Sequence, residues 1–147
     1  MKHAFFALAV LFLAAGCASQ QDAGPAVTVR IAALDTSSDL FYFPGPIGLR
    51  FAVAVSNPTP EAITLRRLDL RSIGSGAYAL RANSTPMNVR IAPNASATFS
   101  ISTWGRSRGG YLNSSEPVVL QGTAYFDRPG PGGTFVKIFQ QNVLPGL

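Results

Sequence analysis

From Val27 onward, apolar side chains recur at every second position, the spacing that lines them up on one face of an extended strand. Val27, Val29 and Ile31 alternate with Thr28 and Arg30. The longest clean run sets Leu49, Phe51, Val53 and Val55 against Arg50, Ala52, Ala54 and Ser56. It ends at Asn57-Pro58-Thr59-Pro60, where two prolines withdraw amide donors and fix φ, so a sheet ladder cannot continue. Ile63 and Leu65 then occupy one parity and Leu68 and Leu70 the other, with Arg66-Arg67 at the switch. Either a β-bulge returns both pairs to one face or the segment changes sheets there. After a Gly74-Ser75-Gly76 turn, short runs follow at Tyr78 and Leu80 and at Met87, Val89 and Ile91. A tight turn at Pro93 to Ser96 leads into Phe99, Ile101 and Thr103. A Gly/Ser/Arg-rich loop from Gly105 to Pro117 precedes Val118, Leu120, Gly122, Ala124 and Phe126, and the last run spans Phe135 to Val143 beyond a loop at Pro129 to Gly133.

No segment carries a sustained apolar stripe at helical period. About seven or eight short strands separated by turn residues predict an all-β fold, an antiparallel immunoglobulin-like β-sandwich with Greek-key connections. A small closed barrel is the other architecture this pattern fits. The expected domain is residues 27–147, a single one.

Ahead of the domain, Met1-Lys2-His3 forms a short basic start, Ala4 to Leu13 is apolar, and Ala14 to Gly16 are small, the layout of a secretory signal. The apolar run falls well short of the about 20 residues a membrane span needs. Cys17, the only cysteine, follows directly. Leu13-Ala14-Ala15-Gly16-Cys17 resembles the lipobox of bacterial lipoproteins, although Ala14 stands where that motif most often has Leu. The resemblance implies that residues 1–16 are removed, that Cys17 carries diacylglycerol on its thiol and a further acyl chain such as palmitate on its new amino group, and that the protein is anchored by it. Ala18-Ser19 after the cysteine lacks the Asp that marks inner-membrane retention in enteric bacteria, so the implied destination is the outer membrane, facing the periplasm. An ordinary signal peptide followed by a chance cysteine is the alternative. Residues 17–26, small and polar and containing Gly24-Pro25, read as a flexible tether. Extended, it reaches only about 30 to 35 Å, so the domain would sit near the bilayer.

These expectations narrow the chemistry. His3, the only histidine, would leave with the signal, and the only thiol would be used by the lipid. Ser-His, Cys-His and His-ligated zinc sites need those groups, so none is expected, nor is a metal, a cofactor or an intrachain disulfide. The formal charge is +5, and every basic residue except Lys2 and Lys137 is an arginine. These arginines are scattered rather than clustered, which argues against nucleic-acid binding. They read as solvated charges, with some attraction to anionic lipid or lipopolysaccharide as the alternative.

Val55 to Pro58 ending an alternating strand, Ile63-Thr64-Leu65 with Leu68-Asp69-Leu70, the turn-rich Ile91-Ala92-Pro93 before Phe99 and Ile101, and the late Gly122-Thr123-Ala124-Tyr125 strand together are similar to the water-stress-and-hypersensitive-response domain. This is the folded branch of the late-embryogenesis-abundant (LEA type 2) proteins. The similarity spans about Leu49 to Val143, and its most specific piece is the Asn57-Pro58 pair. It implies an immunoglobulin-like sandwich, found in bacterial lipoproteins among other settings, with a protective or binding role under dehydration stress and no known catalysis. The aromatic segment Phe41 to Pro46 and the loop from Gly105 to Pro117 depart from the pattern.

Trp104-Gly105-Arg106-Ser107-Arg108-Gly109-Gly110-Tyr111 puts an indole and a phenol at the ends of a basic, glycine-rich loop, chemistry suited to a sugar ring or an anionic head group. Trp104, Arg106, Arg108 and Tyr111 are therefore the candidate ligand-binding residues. The competing reading has Trp104 plugging one end of the core, with the glycines merely turning the chain. Phe41-Tyr42-Phe43-Pro44 is read as core, with an exposed docking patch as its alternative. Asp35 to Asp39 reads as a capped turn rather than a calcium loop. Two functions follow from these features. One is a lipid-anchored, non-catalytic module that binds an envelope protein, glycan or lipid. The alternative is a hydrolase of envelope glycans using carboxylates among Asp35, Asp39, Glu61, Asp69, Glu116 and Asp127, which would have to face each other across about 5 to 9.5 Å.

Overall fold

The computed structural model describes residues 24–34, 41–110, 115–130 and 133–145. Cys17, the Asp35 to Asp39 stretch and Tyr111 lie outside them. Eight antiparallel strands run in chain order: β1 (Thr28–Leu34), β2 (Gly45–Asn57), β3 (Ile63–Ile73), β4 (Tyr78–Ala79), β5 (Asn83–Ile91), β6 (Ala95–Ser107), β7 (Val118–Asp127) and β8 (Thr134–Val143). They form two four-stranded sheets, ordered β1-β2-β6-β4 and β5-β3-β7-β8. The chain crosses between sheets at every connection from β2 through β7, only β1 to β2 and β7 to β8 staying within one sheet, the Greek-key weave of an immunoglobulin-like β-sandwich.

Period-two spacing does the packing. Ile47, Leu49, Phe51, Val53 and Val55 of β2 face Ile63, Leu65, Leu68 and Leu70 of β3 and Val118, Leu120, Ala124 and Phe126 of β7 across one continuous core. The parity switch is a bulge: the β3 register slips between Leu65 and Arg67 against both neighbours. One extra residue restores both apolar pairs, Ile63 with Leu65 and Leu68 with Leu70, to the core and turns Arg66 and Arg67 out together. Arg66 then spans to Asp127 of β7 (2.6 Å) and Asn88 of β5 (2.7 Å), while Arg67 lies 3.8 Å from the centre of the Tyr125 ring. At Gly122 of β7, even a methyl would strike the Phe139 ring of β8, which lies across the strand at that register pair.

The Asn57-Pro58 corner has a physical role. Asn57 is fully buried, and its Nδ2 donates to the carbonyls of Glu61 (2.8 Å) and Ala92 (3.0 Å). Its Oδ1 accepts from the amide and hydroxyl of Thr59. One side chain thus ties the end of β2 to the β5–β6 turn, where Asn94, at φ 51, donates its amide to Thr59. Buried polar groups persist only when bonded in this way.

Two readings need correction. Residues 104 to 107 are not loop: β6 continues to Ser107, because β2 begins as early as Gly45 and supplies partners, Gly48 to Trp104 and Pro46 to Arg106. Second, Phe41-Tyr42-Phe43-Pro44 is not uniformly core. Phe41 is buried and stacked on Tyr78 (5.7 Å between centroids), whereas Phe43 is 77% exposed.

The two sides of the sandwich, where the edges of one sheet meet those of the other, differ. On the β1/β8 side, Gln141 of β8 donates Nε2 to the Ile31 carbonyl (2.7 Å) and accepts the Ile31 amide on Oε1 (3.0 Å), so its side-chain amide replaces a missing strand partner. On the β5/β6 side, Asn83 Nδ2 donates to Thr103 Oγ1 at 2.8 Å. Met87, Val89, Ala97 and Phe99 point inward there yet remain half-buried.

Candidate functional site

Alternation along β6 decides the fate of Trp104. Thr103 and Gly105 take the inward parity, so Trp104 and Arg106 take the outward one. The expectation that Trp104 plugs the core is overturned: the indole is 73% exposed. It stands on the outer face of the β1-β2-β6-β4 sheet, opposite Gly48, with Arg106 two residues along the same face. The next outward pair along these strands is Arg50 of β2 with Ser102 of β6, and beyond it the two strands are small and uncharged on this face: Ala52, Ala54 and Ser56 beside Ser100, Thr98 and Ser96. An exposed indole opposite a glycine, with Arg50 and Arg106 on the same face, is a combination suited to stacking on a sugar or engaging an anion.

Arg108 does not join this face. Its Nη2 donates to the Gly74 carbonyl (3.0 Å) and its amide to the Ala77 carbonyl (3.3 Å), fastening the chain after β6 to the turn before β4. Gly109 follows at φ 72, where a side chain would collide with Pro44, and Gly110 donates to the Tyr42 carbonyl. Ser107, buried, donates its hydroxyl to the Phe41 carbonyl (3.0 Å) and accepts the Gly109 amide (3.1 Å). These bonds hold the Phe41 to Pro46 segment against residues 107 to 110, and they leave Phe43 exposed at the Gly45 end of β2. Of the four candidates, the structure brings Trp104 and Arg106 together and uses Arg108 as a strut. Phe43 is the addition that sequence alone did not single out, since nothing in an aromatic triplet says which ring faces water.

This end lies far from the start of the domain. Thr28 pairs with Ser56, at the opposite end of β2 from Gly48. The eight residue steps between Ser56 and Gly48 separate the two ends by about 26 Å. At the Thr28 end, Gly24 and Pro25 border a groove with Thr59, Pro60, Glu61 and Phe135, and beside it Arg66, Arg90 and Arg128 surround a second groove with Thr64 and Thr134.

The carboxylates are dispersed. Glu61 lines the first of these grooves, Asp127 the second, where Arg66 holds it, and Asp69 lines a third on the outer face of the other sheet, 3.3 Å from Arg67 Nε. Among the described residues, no group of three or more His, Cys, Asp or Glu side chains is placed to hold a metal. Among the described residues, Tyr78 is the group whose ionisation is clearly displaced: burial without a hydrogen-bond partner for its hydroxyl pushes its pKa up from the ordinary value of 10.

The fold and this exposed face define a β-sandwich with an aromatic, basic end. No protein-family model matches the chain, and no curated protein matches it. Among solved structures it is similar to a structural-genomics target designated SoR45, at 14% identity over 82% of this chain and 87% of that one (TM-score 0.48). It is also similar to a protein from Bordetella pertussis described as ApaA, at 12% identity over 81% and 90% of the two chains (TM-score 0.48). A protein described as late embryogenesis abundant aligns at 12% identity over 82% of this chain and 73% of its own (TM-score 0.40).

Proposed function

We propose that this protein is a lipid-anchored, periplasm-facing envelope lipoprotein of the outer membrane, a non-catalytic module that binds an envelope glycan, lipid or protein in a protective role. The observation that carries the binding function is the exposed Trp104 indole beside Arg106, at the end of the sandwich opposite the one where the chain enters the domain. With Cys17 acylated, the tether holds the Thr28 end toward the bilayer and leaves the Trp104 end facing outward. A stress-related role rests on the resemblance carried by Val55 to Pro58 and the strands that follow.

Trp104 is the only tryptophan, so its fluorescence reports on the site directly. Titrating the purified lipoprotein with soluble peptidoglycan fragments and with lipopolysaccharide should shift the emission to the blue with one of them, and Arg106→Ala should weaken that binding several-fold. Metabolic palmitate labelling should mark the wild type and not Cys17→Ser, which should leave the membrane fraction. Emission indifferent to both ligands overturns the assigned site. An unlabelled wild type overturns the anchor.

A further inference from the structure

We propose that β6 is a dimerisation edge: two copies of this chain pair antiparallel along Ala95–Thr103, joining their β1-β2-β6-β4 sheets into one continuous sheet. Four strands form the edges at the two sides of the sandwich, and three of them carry devices that discourage a further strand. β1 has its Ile31 backbone groups occupied by Gln141 and carries Arg30. β8 turns Lys137 inward, against Gly24. β5 has Pro86 in its middle, which cannot donate, and carries Arg90. Edge proline, inward charge and covered backbone are the usual protections against strand addition.

β6 has none of these over most of its length. β2 pairs with it along one side from Ala95 to Ser107, but on the other side β4 reaches only Arg106 and Ser107. No described backbone hydrogen bond reaches the outer edge from Ala95 to Gly105. That stretch, Ala-Ser-Ala-Thr-Phe-Ser-Ile-Ser-Thr-Trp-Gly, holds no charge and no proline. Inward-facing Ala97 and Phe99, with Met87 and Val89 across the open side, remain half-buried and gain cover from an added strand.

A second copy fits the edge better than a charged foreign segment. In an antiparallel pair, partners share a face, so self-pairing must map odd positions to odd and even to even. Centred on Phe99, it does: Phe99 meets itself, Ala97 meets Ile101, Thr98 meets Ser100 and Ser96 meets Ser102. Inner residues meet inner ones, hydroxyls meet hydroxyls, and no like charges come together. The two Arg106 side chains end up about 45 Å apart along the paired strands. That exceeds the screening length of about 8 Å at physiological salt, so two basic molecules meet along their uncharged strip.

The test is the oligomeric state of the full chain, measured by sedimentation in detergent for wild type and for outward-facing variants that leave the core untouched. Wild type should sediment as a dimer. Thr98→Lys with Ser100→Lys sets lysine opposite lysine and should give monomer with unchanged circular dichroism. Thr98→Glu with Ser100→Lys sets opposite charges across the same pairs and should restore the dimer. A monomeric wild type at all concentrations, including one that instead binds a foreign strand, overturns the proposal. So does a dimer indifferent to the lysine pair, and a dimer broken by both pairs overturns the register centred on Phe99.

Discussion

The two sides of this sandwich solve the same problem differently. Each brings the edge of one sheet against the edge of the other, leaving backbone groups without strand partners. On the β1/β8 side a single glutamine amide supplies a donor and an acceptor with the geometry of a peptide group, and Ile31 bonds to it as it would to a strand. On the β5/β6 side the closure is confined to the ends: Asn57 pins the corner at one end, and Asn83 with the Phe41–Tyr78 stack closes the other. Between them Phe99 and Val89 are half-buried and the β6 edge is bare. The difference teaches that a sheet edge needs only one well-placed side-chain amide to be sealed, and that a fold can seal one edge while leaving another open.

The largest test is at the pinned corner. Asn57→Ala removes the side chain that bonds the Glu61 and Ala92 carbonyls and the Thr59 amide and hydroxyl. Leaving those partners unmet inside the protein should cost about 3 to 4 kcal/mol in denaturant-unfolding stability. An effect below about 1 kcal/mol would mean that the corner holds without it.

On the sealed side, Gln141→Leu keeps approximate volume and removes both hydrogen bonds to Ile31. Stability should fall by about 2 kcal/mol, and hydrogen exchange at the Ile31 amide should accelerate while β6 is unaffected. Exchange that does not change would break the comparison, because β1 would then be held by β2 alone.

Tyr78, on β4, which covers the outer edge of β6 at Arg106 and Ser107, should respond with the opposite sign. Its hydroxyl is buried without a partner, so Tyr78→Phe should stabilise by about 1 kcal/mol. The folded-state pKa is raised above 10, so this group's contribution is fully present below pH 10 and is lost as pH climbs toward the folded value. Wild-type stability measured from pH 9 upward should therefore fall above pH 10 more steeply than that of Tyr78→Phe. The smallest change is expected from Asn83→Ala, about 0.5 to 1 kcal/mol for one part-buried side-chain bond. Faster exchange near Thr103 would show the open side widening.

How far these features were legible differs residue by residue. Most of the strands, the parity switch at Arg66-Arg67 and the stop at Asn57-Pro58 follow from alternation and proline chemistry, both local properties, whereas that the switch is a bulge and not a change of sheet shows only in the register against both neighbours. The extension of β6 through Trp104 to Ser107 was hidden, because a Gly/Ser/Arg stretch reads as loop until a partner strand, here Gly45 to Gly48, arrives from a distant part of the chain. Phe41 and Phe43 share a parity and differ in burial, since one stacks on Tyr78 and the other does not. The roles of Gln141, 110 positions from Ile31, and of Asn57, 35 from Ala92, rest on contacts that no spacing along the chain encodes.

The sequence by itself determined that this is an all-β fold, because period-two alternation and turn residues act over a few positions and need no knowledge of the rest of the chain; that the strands part into two sheets and do not close into a barrel was decided by the tertiary structure. It also determined which side of each strand is apolar. Only the tertiary structure decided which edges are sealed, which aromatic rings reach water, and that Trp104 and Arg106 stand at the end away from Thr28. Those outcomes depend on which strand comes to lie beside which, and long-range pairing is chosen by the whole core at once.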